Sequence, residues 1–330
     1  MLFCIGFKVI FFVGGLLTMN LFKEEIGNWQ DWSNISQSLS AFSALINFIL
    51  QKENLPPAKL ENLPPATNAV FKSGDFVIKI FVPTEGGMDQ ATEIQTEQFS
   101  MQRANRLGIH SPKLIAHGFV EDKYRFAYMI MEYVHGTGFG AAMKSMAHIE
   151  KTEAAKQLRK ITDIMNIPCP RFNAIDTIAD EDRSERWSIY PDSFRSERLI
   201  YITSHDYGEK VYVHGDLNSN NVIITDDGKL CIIDFADAVL APKVYEDAYI
   251  AAELFKFDSV LLRGYFGDYS KEELVEIITD GLLIHDFGGD VVRKYLAKPE
   301  EVHCIHDLRR LIYEKLTNEP QARKISCGNY

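Results

Sequence analysis

The stretch VYVHGDLNSNNVIITDDGKLCIIDFADA, from Val211 to Ala238, constrains the chain more than any other. The apolar runs VIIT and LCIID flank the turn Asp226-Asp227-Gly228-Lys229, and alternation alone would make that hairpin. Polar groups nevertheless stand at fixed offsets around it. Asp216 follows the short strand VYV and the pair His214-Gly215. Asn221 comes five residues later, directly before VIIT, and Asp234 ends LCIID, thirteen residues after Asn221. Strand ends beside loops are where polar side chains converge on a site while the strands hold them rigid.

The rest of the chain supplies a scaffold for such a site. Its 330 residues suffice for two lobes with a real core, and 46% hydrophobic content argues against disorder. Residues 31 to 52 read as one helix capped at Ser33 or Asn34, with Leu39, Phe42, Ile46 and Ile49 at helical spacing. ENLPPAKLENLPPA reads as a Pro-rich connector. In AVFKSGDFVIKIFV, Ser73-Gly74-Asp75 predicts a hairpin, and Lys79 shares a strand face with Val77 and Phe81. A lysine there is either an edge residue in water or the holder of a ligand or partner. A helix over 90–107, stopped by Gly108, puts Glu97 in a stripe with Ile94, Met101 and Ala104, so a cationic partner is expected. Two more strands, LIAHGFV and FAYMIMEYV, lead to His135-Gly136-Thr137-Gly138, which reads as a lobe boundary. Beyond it, helices are expected over 148–166, 272–284, 289–297 and 303–317.

Phosphoryl transfer is the chemistry that asks for these residue types. A hard Mg²⁺ ion takes oxygen ligands and keeps waters and nucleotide phosphates in its shell, which suits one carboxylate and one amide oxygen, Asp234 and Asn221. Asp216 is separate and can accept or orient the proton of an attacking hydroxyl. Lys79 can reach phosphate oxygens, with Glu97 holding it and Glu93, one turn earlier, the second-ranked partner.

On these residues the chain resembles the aminoglycoside phosphotransferase and choline kinase-like family, small-molecule relatives of the eukaryotic protein kinases. The resemblance rests on HGDLNSNN, the strand pair ending in IDF, VIKIF with Lys79, Glu97 ahead of GIHSPKL, and IMEYVHG. It covers the chain from about residue 64 to the last helices. It implies an α+β, bilobal protein-kinase-like fold, with a small β-rich N-terminal lobe over 64–134 and a larger, mainly helical C-terminal lobe over 135–330. ATP and Mg²⁺ would be cosubstrate and cofactor. Asp216 would be the catalytic base, Asn221 and Asp234 the metal ligands, Lys79 the phosphate contact with Glu97 as its ion-pair partner. Glu132 and Val134 would offer backbone groups to adenine, and His214 would brace the catalytic loop. The Gly-rich loop of protein kinases is absent: PPATNAV stands in its place, with Asn68 a candidate phosphate contact. Asp234-Phe235-Ala236 lacks the usual glycine, and no Ala-Pro-Glu segment follows it. The expected function is an ATP- and Mg²⁺-dependent small-molecule kinase. Its acceptor is an aminoglycoside-like cation or another metabolite of choline, homoserine, thiosugar or fructosamine type. The rivals are a protein kinase and a catalytically silent nucleotide-binding regulator.

Charge and cysteines narrow the partners. Residues 1–134 carry a net charge of −2 and residues 135–330 one of −9, a balance against nucleic acid; acidity kept for solubility is the first reading of it, and a site for a cationic small molecule the second. The acids Asp237, Glu246 and Asp247 either line an acceptor site or cap the following helix; Asp237 is kept as an acceptor-site candidate, and Asp247 reads as structural. The five cysteines form no CxxC pair and are odd in number, which fits a reducing cytoplasm and no structural zinc. Cys231, inside an apolar strand, reads as a small core residue. Residues 1–18 are an apolar extension, read as a signal anchor, a packed helix or translated upstream sequence. The last reading, with a start at Met19, is favoured and makes 19–63 a helical segment and linker.

Overall fold

A computed structural model describes residues 20–317; the apolar extension 1–18 and Met19 lie outside the described residues. Backbone contacts divide the chain into two compact units. One comprises residues up to Gln90 with Ala116–Ile130, the other Ala91–Ile115 with Met131 onward.

The first unit carries α1 (Trp29–Ile35), α2 (Leu39–Lys52), β1 (Leu60–Asn62), β2 (Ala69–Ser73) and β3 (Phe76–Ile80). After α3 (Ala91–Arg106), which belongs to the second unit, come β4 (Leu114–Glu121) and β5 (Arg125–Glu132). They complete a five-stranded sheet of order β1-β2-β3-β5-β4. The single helix expected over 31–52 is two helices. Asn28 accepts from the Asp31 N–H to start α1, and the Ser38 hydroxyl accepts from the Ala41 N–H to start α2. The break falls at Ser36-Gln37-Ser38, where short hydroxyl side chains offer the backbone a local alternative to the helix ladder. Trp32, Phe42, Ile46 and Ile49 bury against Phe71, Ile78, Ile80 and Phe126 in one apolar core. The Pro-rich connector also holds a strand: Leu60 pairs with Ser73 and Asn62 with Phe71, making β1 a short edge. The β2–β3 hairpin turns at Gly74, at φ +60°, and Ser73 faces Phe76 across it. Asn68 is buried and its side-chain oxygen accepts from the Val82 N–H at 3.2 Å, so it ties down the hairpin's ends.

The second unit holds the remaining elements. They are β6 (Gly136–Gly138), α4 (Phe139–Ala142), α5 (His148–Met165), α6 (Asp192–Ser204), β7 (Lys210–Val213), β8 (Val222–Thr225), β9 (Leu230–Ile232), β10 (Val239–Pro242), α7 (Lys243–Tyr249), α8 (Ser259–Phe266), α9 (Lys271–Ile284), α10 (Gly288–Tyr295) and α11 (Ile305–Thr317). Gly136–Gly138, which read as a break in the pattern, is a strand that pairs with β8. The sheets are β6-β8-β9 and β10-β7. Val213, Leu217, Val222, Ile232 and Phe235 lie in the same core as the helix faces. Cys231 is fully buried in β9, and burial pushes its thiol up to about 12. No helix among the described residues is long and apolar enough to cross a membrane.

Helices α7 and α9 meet backbone to backbone. A Cβ on Gly281 would lie 2.0 Å from the Val244 carbonyl oxygen and 2.4 Å from the Ala248 Cβ. No rotamer change relieves a clash with a main-chain oxygen. Gly281→Ala is therefore expected to cost about 3 kcal/mol, read as a lower urea midpoint at an unchanged slope.

Candidate active site

The site grows from the loop between β7 and β8. Strand β7 is pinned by β10, with Val213 opposite Val239. The chain then turns at Gly215, at φ +81°, where a Cβ would sit 2.2 Å from the Asp237 carbonyl oxygen. Only glycine fits both that backbone conformation and that approach. Asp216 follows, and the asparagines fold the loop around it. The Asn218 N–H donates to the Asp216 carbonyl at 2.8 Å, and the Asn220 N–H to the Asn218 side chain at 2.7 Å. At the far side the Asn221 carbonyl accepts from the Ile233 N–H at 3.0 Å, which joins the loop to the segment leaving β9.

His214 braces this loop from inside. It is fully buried. Its Nε2 lies 3.0 Å from the Ile233 carbonyl oxygen and its Nδ1 3.3 Å from the Asp216 N. A carbonyl only accepts and an amide only donates, so the proton belongs on Nε2. Burial pushes this imidazole down to about 4, in keeping with a neutral ring. Below the loop, Glu246 of α7 is fully buried, and its Oε2 accepts from the His214 N–H and from Asn166 Nδ2. Burial pushes the Glu246 carboxyl up to about 8, against the pull of the His214 and Gly215 amides. Glu246, one of the acids that could line an acceptor site or cap a helix, instead braces the loop from α7, and Asn166, just past the end of α5, does not stand out in the sequence.

Three side chains fix the Asp216 carboxylate. Asn218 Nδ2 donates to Oδ2 at 2.9 Å, Asn221 Nδ2 to Oδ2 at 2.8 Å, and the Tyr249 hydroxyl to Oδ1 at 2.8 Å. Burial raises this carboxyl to about 6, and Asp234 adds to the rise, while the three donors oppose it. Asp234 itself stands at φ +61°, a left-handed conformation that non-glycine residues seldom adopt and that clusters at functional sites. Asp237 keeps an exposed side, yet it is recessed among protein atoms. Burial, then Asp216, Asp234, Glu93 and Asp286, push its carboxyl up to about 7.

The residues present fit a divalent cation. Asn221 spends its NH₂ on the Asp216 carbonyl and on Oδ2, which fixes the amide orientation and turns its Oδ1 elsewhere. The Asp234 carboxylate is a second hard oxygen donor, and it raises the carboxyls of Asp216 and Asp237. Among the described residues no group of three or more His, Cys, Asp or Glu is disposed as a metal cage. An ion that brings nucleotide phosphates and waters needs only one or two protein oxygens.

The other expected residues are placed as follows. Glu97 is buried on α3 beside Met101 and Ala104, and Glu93 is half-buried. Glu132 ends β5, and its N–H donates to the Lys113 carbonyl at 3.0 Å; Val134 follows in the half-buried segment before β6. Lys79 belongs to the first unit. It is buried in β3 opposite Val70, with its ammonium 5.2 Å from the centre of the Phe81 ring, and is no edge lysine in water. Asp247 accepts from the Tyr265 hydroxyl at 2.9 Å in the helical core, as its structural reading requires.

Comparison with known proteins follows the same residues. A family model described as "Phosphotransferase enzyme family" matches residues 66–276, well over half of the chain. The serine/threonine-protein kinase ppk34 of Schizosaccharomyces pombe is 27% identical over 145 residues, 40% of this chain and 40% of that protein. The chain thus spans about two fifths of that relative's length. Among solved structures, the streptomycin-ATP-APH(2″)-IIa ternary complex is similar at a TM-score of 0.54 and 16% identity, covering 83% of this chain and 98% of the other. A choline/ethanolamine kinase family protein from Mesorhizobium loti gives a TM-score of 0.50 and 15% identity, covering 84% and 96%. At such identities the likeness is one of fold, and the fold is kinase-like: a β-rich N-terminal region followed by a mainly helical part.

Proposed function

The chain belongs to the phosphotransferase enzyme family, and from that premise we propose that it moves the γ-phosphate of ATP, carried with Mg²⁺, to a hydroxyl of a small molecule. The observation that carries this reading is the clamped carboxylate of Asp216, held by Asn218, Asn221 and Tyr249 beside Asp234. Asp216 accepts the proton of the attacking hydroxyl and orients its oxygen toward the phosphorus. Asn221 Oδ1 and the Asp234 carboxylate hold the metal. When bound, Mg²⁺ supplies charge neutralisation on the phosphate oxygens. The phosphate contact proposed for Lys79, with Glu97 as its partner, rests on the resemblance of VIKIF and the helix that follows it. The Glu132 N–H is engaged by Lys113, so its carbonyl and the Val134 N–H are the groups left to read a purine edge.

The acceptor is a cation. Asp237, Asp286 and Glu93 gather with Asp216 and Asp234 closely enough to raise the Asp237 carboxyl, and residues 135–330 carry −9. An aminoglycoside-like polyamine answers such a surface best. Choline, homoserine, a thiosugar or a fructosamine would use the same catalytic residues. The test is Mg-ATP consumption against a panel of aminoglycosides, choline, homoserine and sugars. Turnover with a cationic acceptor is expected, and turnover confined to neutral sugars would overturn the charge argument. The sequence similarity to a serine/threonine-protein kinase favours one second reading, a protein kinase. The missing Ala-Pro-Glu segment speaks against it, and labelling of casein as fast as of any small acceptor would establish it.

A further inference from the structure

Asp216 has an uneven hydrogen-bond shell. Its Oδ2 accepts twice, from Asn218 Nδ2 and Asn221 Nδ2, and its Oδ1 accepts once, from the Tyr249 hydroxyl. A carboxylate oxygen offers two lone pairs. Oδ2 is therefore saturated, and one acceptor position remains on Oδ1. Tyr249 is placed with care for this contact. It is the last residue of α7, and the next turn, Ile250–Leu254, is a π-turn closed by the Phe255 N–H on the Ile250 carbonyl at 2.9 Å. Such widened turns re-phase a helix and gather at functional sites. The Tyr249 ring lies nearly parallel to His285, 4.3 Å between centres and 4° between planes, and His285 stacks in turn on Tyr245 at 4.0 Å. His285 is fully buried, and its Nδ1 accepts from the Phe287 N–H at 3.0 Å, so the stack has a fixed base.

We infer that Tyr249 is a positioning residue for transfer: its hydroxyl completes a three-donor clamp on Asp216 and leaves a single lone pair, on Oδ1, to meet the acceptor hydroxyl. The inference rests on the phosphotransfer reading. In the step it serves, the acceptor oxygen forms the new bond to the γ-phosphorus. The bond from that phosphorus to the β–γ bridging oxygen breaks, with its electron pair leaving on ADP. The hydroxyl proton passes to Oδ1. A tyrosine that merely satisfied a buried phenol would leave this step indifferent to its hydroxyl.

The test compares Tyr249→Phe with Tyr245→Phe. Both keep a ring in the stack, and the second removes a hydroxyl that serves the Asp286 N–H and not Asp216. Tyr249→Phe is expected to lower kcat by about 10–100-fold while the KM for ATP stays within about twofold and the melting temperature is kept. Tyr245→Phe is expected to keep kcat. Equal kcat in Tyr249→Phe and the wild type would overturn the inference, as would equal losses in the two variants. A wild type that transfers to no acceptor would sink the parent reading instead. Positioning is then decided by crystal structures of the wild type and Tyr249→Phe. An Asp216 carboxylate that rotates or divides between two orientations upholds it, and one that keeps its orientation overturns it.

Discussion

Asp216→Asn is expected to lower kcat by about a thousandfold, the scale of removing a positioned general base, and to leave ATP binding within about twofold. The substitution is nearly isosteric, but it exchanges an oxygen for an NH₂ inside a shell of donors. Tyr249 points its O–H at Oδ1, and Asn218 and Asn221 point N–H groups at Oδ2. Whichever way the new amide turns, one donor faces another, so the side chain loses both its basicity and its fixed direction. The wild type should also show an acid limb. The Asp216 carboxyl is raised to about 6 by burial, and only the carboxylate can accept a proton, so kcat/KM falls as the pH drops through about 6. A bound cation stabilises the carboxylate and moves the limb lower. The residual rate of the Asn variant should lack that limb. Steady-state kinetics between pH 5 and 8, with calorimetric ATP titration as the control, checks both. A rate within a few-fold of wild type would remove Asp216 from the proton step.

The catalytic hairpin is legible in the sequence because its logic is local. Asp216, Asn218 and Asn221 meet within one loop, and strand alternation on either side fixes where that loop can lie. The Ser73-Gly74-Asp75 turn and the stop of α3 at Gly108 follow from φ-permissive glycines at the right places. The groups that reach the loop from elsewhere left no such mark. Glu246 reads as one acid among several after IDF, and nothing in the sequence marks Tyr249. Their hydrogen bonds span 32 and 33 residues and depend on how α7 docks against β7. The strand at Gly136–Gly138 was hidden for the opposite reason: the local pattern is readable, but tertiary pairing decides it. Gly136 has no strand propensity, and it is a strand because β8 lies beside it.

Asp234→Asn separates stability from metal-dependent affinity more cleanly than any other change at this site. Asn is the substitution to use, since it adopts the left-handed backbone that Asp234 requires at φ +61° with little penalty, whereas Ala would strain it. The substitution thus removes the charge and keeps the backbone. Asp234 raises the carboxyls of Asp216 and Asp237, so its neutralisation relieves repulsion within the acidic group. The melting temperature is expected to hold or rise slightly. The proposed metal site, by contrast, would lose the one carboxylate of its two protein ligands. Mg²⁺-dependent affinity for a non-hydrolysable ATP analogue is expected to fall by about a hundredfold, on the order of what ligand and near-ligand changes cost at metal sites. Titration calorimetry with Mg²⁺ and with EDTA reads the effect directly. The variant should bind the nucleotide in Mg²⁺ about as weakly as the wild type binds it in EDTA. Unchanged Mg²⁺-dependent affinity in a folded Asp234→Asn protein would take Asp234 out of the metal site, and would pass the ligand role to Asp237, whose carboxyl stands in the same acidic group.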